Sequence, residues 1–237
     1  MGENVRTYII SELCGQWGGS TARAKQMITQ SKQGGADAVK VQLSDTYRMP
    51  GEERERWEYL MMSREQFLDL KEYAESLELD FFASAFHEDR FRWILESGLG
   101  INKIASMLLN HDFELCKRMV STGVLTYCSL GRWDSDEYPF EDKNVKYMHC
   151  VSKYPHPLKE AIKLMPSKFD NRLIGYSDHT VGIEACKEAV LRGATVLEKH
   201  YTINHDLQSK TEGAHVCSMN MEELSLLREF CEGNNNE

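Results

Sequence analysis

Eight short apolar runs, separated by amphipathic segments, constrain this chain more than any other feature. They are Tyr8-Ile9-Ile10, Ala38-Val39-Lys40-Val41, Asp80-Phe81-Phe82-Ala83, Ile101-Asn102-Lys103-Ile104, Val124 to Cys128, Val145 to Met148, Leu173 to Tyr176 and Thr195-Val196-Leu197. Runs of this length read as strands buried on both faces. The intervening segments at Thr21 to Gln33, Ser63 to Leu77, Glu88 to Ser97, Asp112 to Ser121, Leu158 to Lys168 and Gly182 to Arg192 carry a helical period. Ser63-Arg64-Glu65-Gln66 has the form of a capping box, and Gly34-Gly35, Gly98 and Gly193 stand where helices should stop. Strand and helix alternating eight times predicts one α/β domain over residues 1–237, a (β/α)8 TIM barrel. The stretch Leu130 to Asn144 has no helical period, which predicts a shortened or missing helix between strands 5 and 6. A doubly wound open sheet is the alternative fold, but no Gly-x-Gly-x-x-Gly turn supports a dinucleotide-binding version.

In parallel α/β folds, chemistry gathers where strands end. Polar residues recur there: Glu12, Lys40 with Gln42, Ser84, Lys103 with Ser106, Ser129, Ser152 with Lys153, Ser177 with His179, and Glu198 with His200. Strand parity puts Lys40 and Gln42 on one face, and likewise Glu198 and His200, with Lys199 pointing the other way and packing its stem against a helix. His179 and His200 arrive at the ends of consecutive strands, where a shared metal ion is the natural expectation. The lysines and hydroxyls suit a small, doubly anionic ligand beside that cation, and Glu12 suits a proton acceptor or an orienting group. His87 and His149 are read as structural.

The net charge of -9 offers no basic face to nucleic acid or to an anionic membrane, and no apolar run is long enough to span a bilayer. Seven cysteines without a Cys-x-x-Cys pair read as buried thiols. Together with an amino terminus lacking an apolar targeting segment, they predict a cytoplasmic protein.

In these motifs the chain resembles the sialic acid synthase (NeuB-like) family. The matching blocks are Ile10-Ser11-Glu12, Gly35 to Gln42, Asp80 to Ser84, Lys103-Ile104-Ala105-Ser106, His149 to Pro155, Gly175 to Thr180, Glu198 to Thr202 and Cys217 to Asn220. The resemblance implies a (β/α)8 barrel that condenses phosphoenolpyruvate with an aldehyde such as N-acetylmannosamine, assisted by Mn2+ or Mg2+, giving a 2-keto acid and phosphate. It implies metal ligands at His179 and His200 and phosphoenolpyruvate contacts at Lys40, Ser84, Lys103, Ser106, Ser129 and Ser177. With the strand-end residues added, catalytic roles are expected for Glu12, Lys103, His179 and His200, and further substrate contacts for Gln42, Lys153 and Glu198.

Differences from the family pattern concentrate on the acceptor side. Gln16-Trp17-Gly18-Gly19 stands where the family usually has Asn-His-Asn-Gly, and Glu212-Gly213-Ala214-His215 where it usually has Gly-Pro-Asp-His. Leu108 replaces a common glutamate, and Lys153 a common Asn or Ser. The family's antifreeze-like domain, which caps the partner's site in a dimer, has no counterpart after the barrel, so a homodimer or a separate capping protein is expected to complete the pocket. Two other readings stay open. One is a non-catalytic barrel that kept an anion and metal pocket; the other is a sugar-phosphate aldolase or isomerase using Lys40 or Lys103 as a Schiff base.

Overall fold

A computed structural model describes residues 6–45, 51–207 and 216–234. Eight parallel strands close into a barrel in sequence order: β1 (Tyr8–Glu12), β2 (Ala38–Leu43), β3 (Asp80–Ala85), β4 (Ile101–Ile104), β5 (Leu125–Ser129), β6 (Val145–Cys150), β7 (Leu173–Asp178) and β8 (Val196–His200). The last strand pairs with the first, Glu12 lying opposite His200. Around the barrel stand α1 (Thr21–Gln33), α2 (Gly51–Glu58), α3 (Arg64–Ser76), α4 (Glu88–Glu96), α5 (Leu108–His111), α6 (Phe113–Ser121), α7 (Leu158–Leu164), α8 (Glu184–Leu191) and α9 (Met221–Asn234). Every apolar run became a strand, and each expected helix formed within a few residues of its reading, α7 ending four residues early at Leu164. The short α2 and α5 lie in loops that the periodicity left unassigned.

Local chemistry explains the starts. Ser63 and Gln66 exchange side-chain and backbone hydrogen bonds in a full capping box, and Asn220 and Glu223 do the same at α9. Ser20 and Asp112 cap α1 and α6 by accepting from Arg23 N and Leu115 N.

Among the described residues no helix lies between β5 and β6. The 130–144 loop covers the barrel wall with aromatics instead: Phe113 stacks on Trp133 and on Phe140 with ring centroids 5.9 and 5.2 Å apart. Tyr138 stacks on Tyr147 at 4.3 Å, and the Tyr147 hydroxyl donates to Phe140 O. These rings bury the apolar area that a helix would otherwise cover.

Two apolar layers result. The larger lies between the barrel and its helices. The smaller fills the barrel itself, with Ile10, Ala38, Phe82, Tyr127, Met148 and Val196 at its centre, so the interior is a packed plug and not a pore. Gly175 sits where β8 comes closest to β7: a Cβ there would lie 2.7 Å from Val196 O. All seven cysteines are buried thiols outside any disulfide, and no helix among the described residues is long and apolar enough to cross a membrane.

Candidate active site

Side chains two residues apart on a strand share a face, so each strand that contributes an apolar group to the plug contributes its next inward side chain to the layer above. Ile10 is followed by Glu12, Ala38 by Lys40, Phe82 by Ser84, Tyr127 by Ser129, and Val196 by Glu198 and then His200. The parallel register brings them level: Glu12 faces Lys40, Gln42 faces Ser84, Ser84 faces Lys103, and Ser177 faces Glu198. The polar layer therefore follows from parity and register, with no loop required to carry it.

Within it, two lysines converge on one carboxylate. Lys103 Nζ is 3.3 Å from Glu198 Oε1, and Lys40 Nζ is 3.6 Å from Glu198 Oε2. Lys40 also pairs with Glu12 and donates to Ser84 Oγ at 3.2 Å. Lys103 donates to Ser129 Oγ at 2.8 Å, and Ser177 Oγ donates to Glu198 Oε1 at 2.9 Å. The lysines are only 3% and 2% exposed, so each charge depends on its partners. Burial alone would discharge Lys40, but Glu12 and Glu198 hold its ammonium above the ordinary lysine range. At Lys103 burial outweighs the help of Glu198, and the pKa falls below the usual value. Burial also opposes ionisation of Glu198, yet Lys103 and Lys40 pull its carboxyl down to about 2. Glu12 is pushed up by burial against the pull of Lys40, while its Oε1 accepts from Cys14 N at 2.7 Å.

His179, just past β7, and His200, the last residue of β8, have ring centroids 5.6 Å apart. Burial lowers the His179 pKa to about 4 and that of His200 well below its ordinary value, so both imidazoles are neutral at pH 7. His179 Nδ1 lies 2.7 Å from Val151 O. A carbonyl only accepts, so Nδ1 carries the proton and Nε2 keeps its lone pair. His200 Nδ1 is buried without a hydrogen-bond partner. Two neutral imidazoles with lone pairs to offer, one an orphaned buried nitrogen, fit a borderline divalent cation. No group of three His, Cys, Asp or Glu side chains among the described residues could hold a metal alone, so such a cation would take its remaining ligands elsewhere.

The structure brings Glu12, Lys40, Ser84, Lys103, Ser129, Ser177 and Glu198 into one bonded network and sets the histidine pair on the strands beside it. Ser106 joins Ser152 at 2.9 Å, and both reach the Cys150 thiol. Gly131 packs its backbone directly against this corner, because a Cβ there would meet Cys150 Sγ at 2.5 Å and Ser152 Oγ at 2.9 Å. Gln42 lies on β2 beside Ser84 and is partly exposed. Lys153 stands apart: it is more than half exposed and pairs with Glu160 at 3.1 Å. The Glu212 to His215 block lies outside the described residues.

Two features escaped the sequence reading. The Tyr154 ring packs on His179 with centroids 4.0 Å apart and meets His200 edge-on at 5.9 Å, forming an aromatic wall; its signal in the sequence was its place beside Lys153 in the His149 to Pro155 block. Lys199, expected to pack its stem on a helix, also carries its ammonium into a buried ion pair with Asp178 outside the barrel wall.

A family model described as the NeuB family matches residues 27–234. An N-acetylneuraminate-9-phosphate synthase of Drosophila melanogaster is 31% identical over 93% of this chain and 66% of its own length. An N,N'-diacetyllegionaminic acid synthase of Legionella pneumophila is 28% identical over 95% of this chain and 71% of its own. Among solved structures, an N-acetylneuraminic acid (sialic acid) synthetase from Leptospira borgpetersenii, in complex with citrate, superposes with a TM-score of 0.87 at 28% identity, covering 98% of this chain and 85% of that one. The chain thus spans about two thirds of the length of the first two relatives.

Proposed function

The chain belongs to the NeuB family, and we propose that it joins phosphoenolpyruvate to the aldehyde carbon of a sugar acceptor, releasing phosphate and leaving a 2-keto acid. The convergence of Lys40 and Lys103 on a buried carboxylate beside two neutral histidines carries this reading. The donor has two anionic groups, a carboxylate and a phosphate, and the layer has two ammonium groups to receive them. In the ligand-free protein Glu12 and Glu198 neutralise those lysines. An entering dianion takes over part of that pairing, with Ser84, Ser129 and Ser177 as hydroxyl donors already aligned by the lysines and Glu198. Ser106 supplies a further hydroxyl at the rim.

The new bond forms between the enol carbon of the donor and the acceptor's carbonyl carbon; water then adds at the donor's second carbon and the phosphate departs with its bonding electrons. Glu12, whose proton affinity burial has raised, accepts the proton that the water gives up. His179 and His200 would hold the divalent cation, and imidazole donors favour Mn2+ over the oxygen-seeking Mg2+. Held there, the cation would supply Lewis acidity toward the acceptor's carbonyl oxygen. Tyr154 shields the histidines from bulk water, and Lys153, exposed nearby, is available to an anionic group on the acceptor.

The test is thermal stability of chelator-stripped protein with phosphoenolpyruvate and Mn2+, separately and together, followed by phosphate release with N-acetylmannosamine and its relatives. The reading expects more stabilisation from the pair than from the sum of each alone, and release that disappears in Lys103→Ala and His200→Ala. No shift with either ligand, or turnover surviving in both variants, would overturn it.

A further inference from the structure

The proposed reaction makes no use of the most deeply buried ion pair in the described structure. Asp178 and Lys199 are 0% and 1% exposed and lie opposite each other in the β7–β8 register, on the outer face of the barrel wall. Asp178 is bound from every side. Its Oδ1 accepts from Thr180 N at 2.9 Å and Tyr176 OH at 3.1 Å, and its Oδ2 from Thr180 Oγ1 at 3.1 Å, Cys186 Sγ at 3.5 Å and the Lys199 ammonium. Lys199 donates again to Thr180 O at 2.8 Å.

Stability alone is a weak reason to keep such a pair, because well-packed apolar side chains of similar volume hold a core as well or better. Its placement suggests another. Asp178 immediately precedes His179, and Lys199 immediately precedes His200. Through the Asp178 carboxylate and the Thr180 carbonyl, Lys199 grips the residues on both sides of His179. The His179 carbonyl itself accepts from His156 N at 2.7 Å, which leaves its backbone little freedom. On the inner face the Ser177 to Glu198 bond ties the same two strands through side chains.

We infer that Asp178 and Lys199 are positioning residues: from outside the barrel they fix the spacing and aim of the His179 and His200 imidazoles inside it. This rests on the reading of those histidines as cation ligands. Outer contacts that orient ligating histidines commonly govern metal affinity about 10- to 100-fold, and here the control acts through the backbone.

The decisive variant is the double replacement Asp178→Asn with Lys199→Met, which removes both charges and leaves neither alone. Mn2+ binding is read by the electron paramagnetic resonance signal of the free ion, and phosphoenolpyruvate binding without metal by calorimetry. The inference expects Mn2+ affinity to fall at least about tenfold while phosphoenolpyruvate affinity stays within about twofold, since Lys40 and Lys103 are untouched. Thr180→Val, which keeps the pair and deletes one donor to Asp178, should weaken Mn2+ binding a few-fold and serves if the double variant does not fold. Native-like Mn2+ affinity in the folded double variant, or in Thr180→Val if only that folds, overturns the inference and leaves the metal reading standing. Failure of the native protein to bind Mn2+ overturns both.

Discussion

Replacing Lys103 by methionine keeps the length of the side chain and deletes its charge. The loss falls on Glu198, whose Oε1 lies 3.3 Å from the lost ammonium. At an effective dielectric of about 20 that attraction is about 5 kcal/mol, and leaving one half of a buried pair behind typically costs about 3–5 kcal/mol. Lys40, 3.6 Å from the other oxygen, and Ser177 still support the carboxylate, so the expected cost is at the low end, about 3 kcal/mol. For a chain of this size that is a fall of roughly 6–12 °C in Tm. Adding Glu198→Gln removes the stranded charge, and the new amide oxygen can still accept from Ser177, so most of the loss should return. The assay is thermal unfolding of the wild type and the two variants, each with and without phosphoenolpyruvate. A saturating donor at about a hundredfold excess over its Kd adds about 2.7 kcal/mol to the wild type, and that increment should vanish in both variants lacking Lys103. A Lys103→Met protein as stable as the wild type, or a double variant no more stable than the single, would refute the electrostatic argument. Donor stabilisation surviving without Lys103 would remove that residue from the donor site.

Three further outcomes are expected. Burial, helped by nearby His156, lowers the His149 pKa to about 4 from the ordinary 6.5. Between those values the unfolded chain binds a proton that the folded chain refuses, so stability is full above about 6.5 and declines as pH falls toward 4. Allowing for partial exposure of the ring, the share is about 2 kcal/mol; urea titrations at pH 7 and pH 5 should show a smaller decline in His149→Gln, and an identical decline would sink the assignment. Gly175→Ala drives a methyl into Val196 O at 2.7 Å and should cost about 1–3 kcal/mol, with an unchanged Tm arguing against that close approach. Ser129→Ala removes the 2.8 Å bond from Lys103 and should raise KM for phosphoenolpyruvate about tenfold, the size of a charge-assisted hydrogen bond, with stability little changed; a KM equal to that of the wild type would count against Ser129 as a donor-side residue.

Sequence alone determined the barrel and its upper polar layer, because both rest on periods that a linear pattern carries. Eight apolar runs alternating with amphipathic segments leave few topologies, and parity along each strand makes the residue two on from each plug position face inward. Glu12, Lys40, Ser84, Ser129 and Glu198 could therefore be read directly. The missing helix after β5 was legible for the same reason, as a stretch without a period. Long-range geometry was not. Only closure of the barrel brings Lys40 and Lys103, from β2 and β4, onto Glu198 from β8, and so decides which lysine's pKa burial lowers and which the carboxylates raise. Parity could send Lys199 outward, but it could not say that Asp178 waits opposite, since that depends on strand register. Ser129 is the last ladder residue of its strand, whereas Lys153 lies three residues past the end of β6; it points to solvent and pairs with Glu160, because past the last ladder position no pleat dictates direction. Tyr154 reaches the histidines for the same reason: a loop folded back over the barrel mouth brings together residues that no spacing relates.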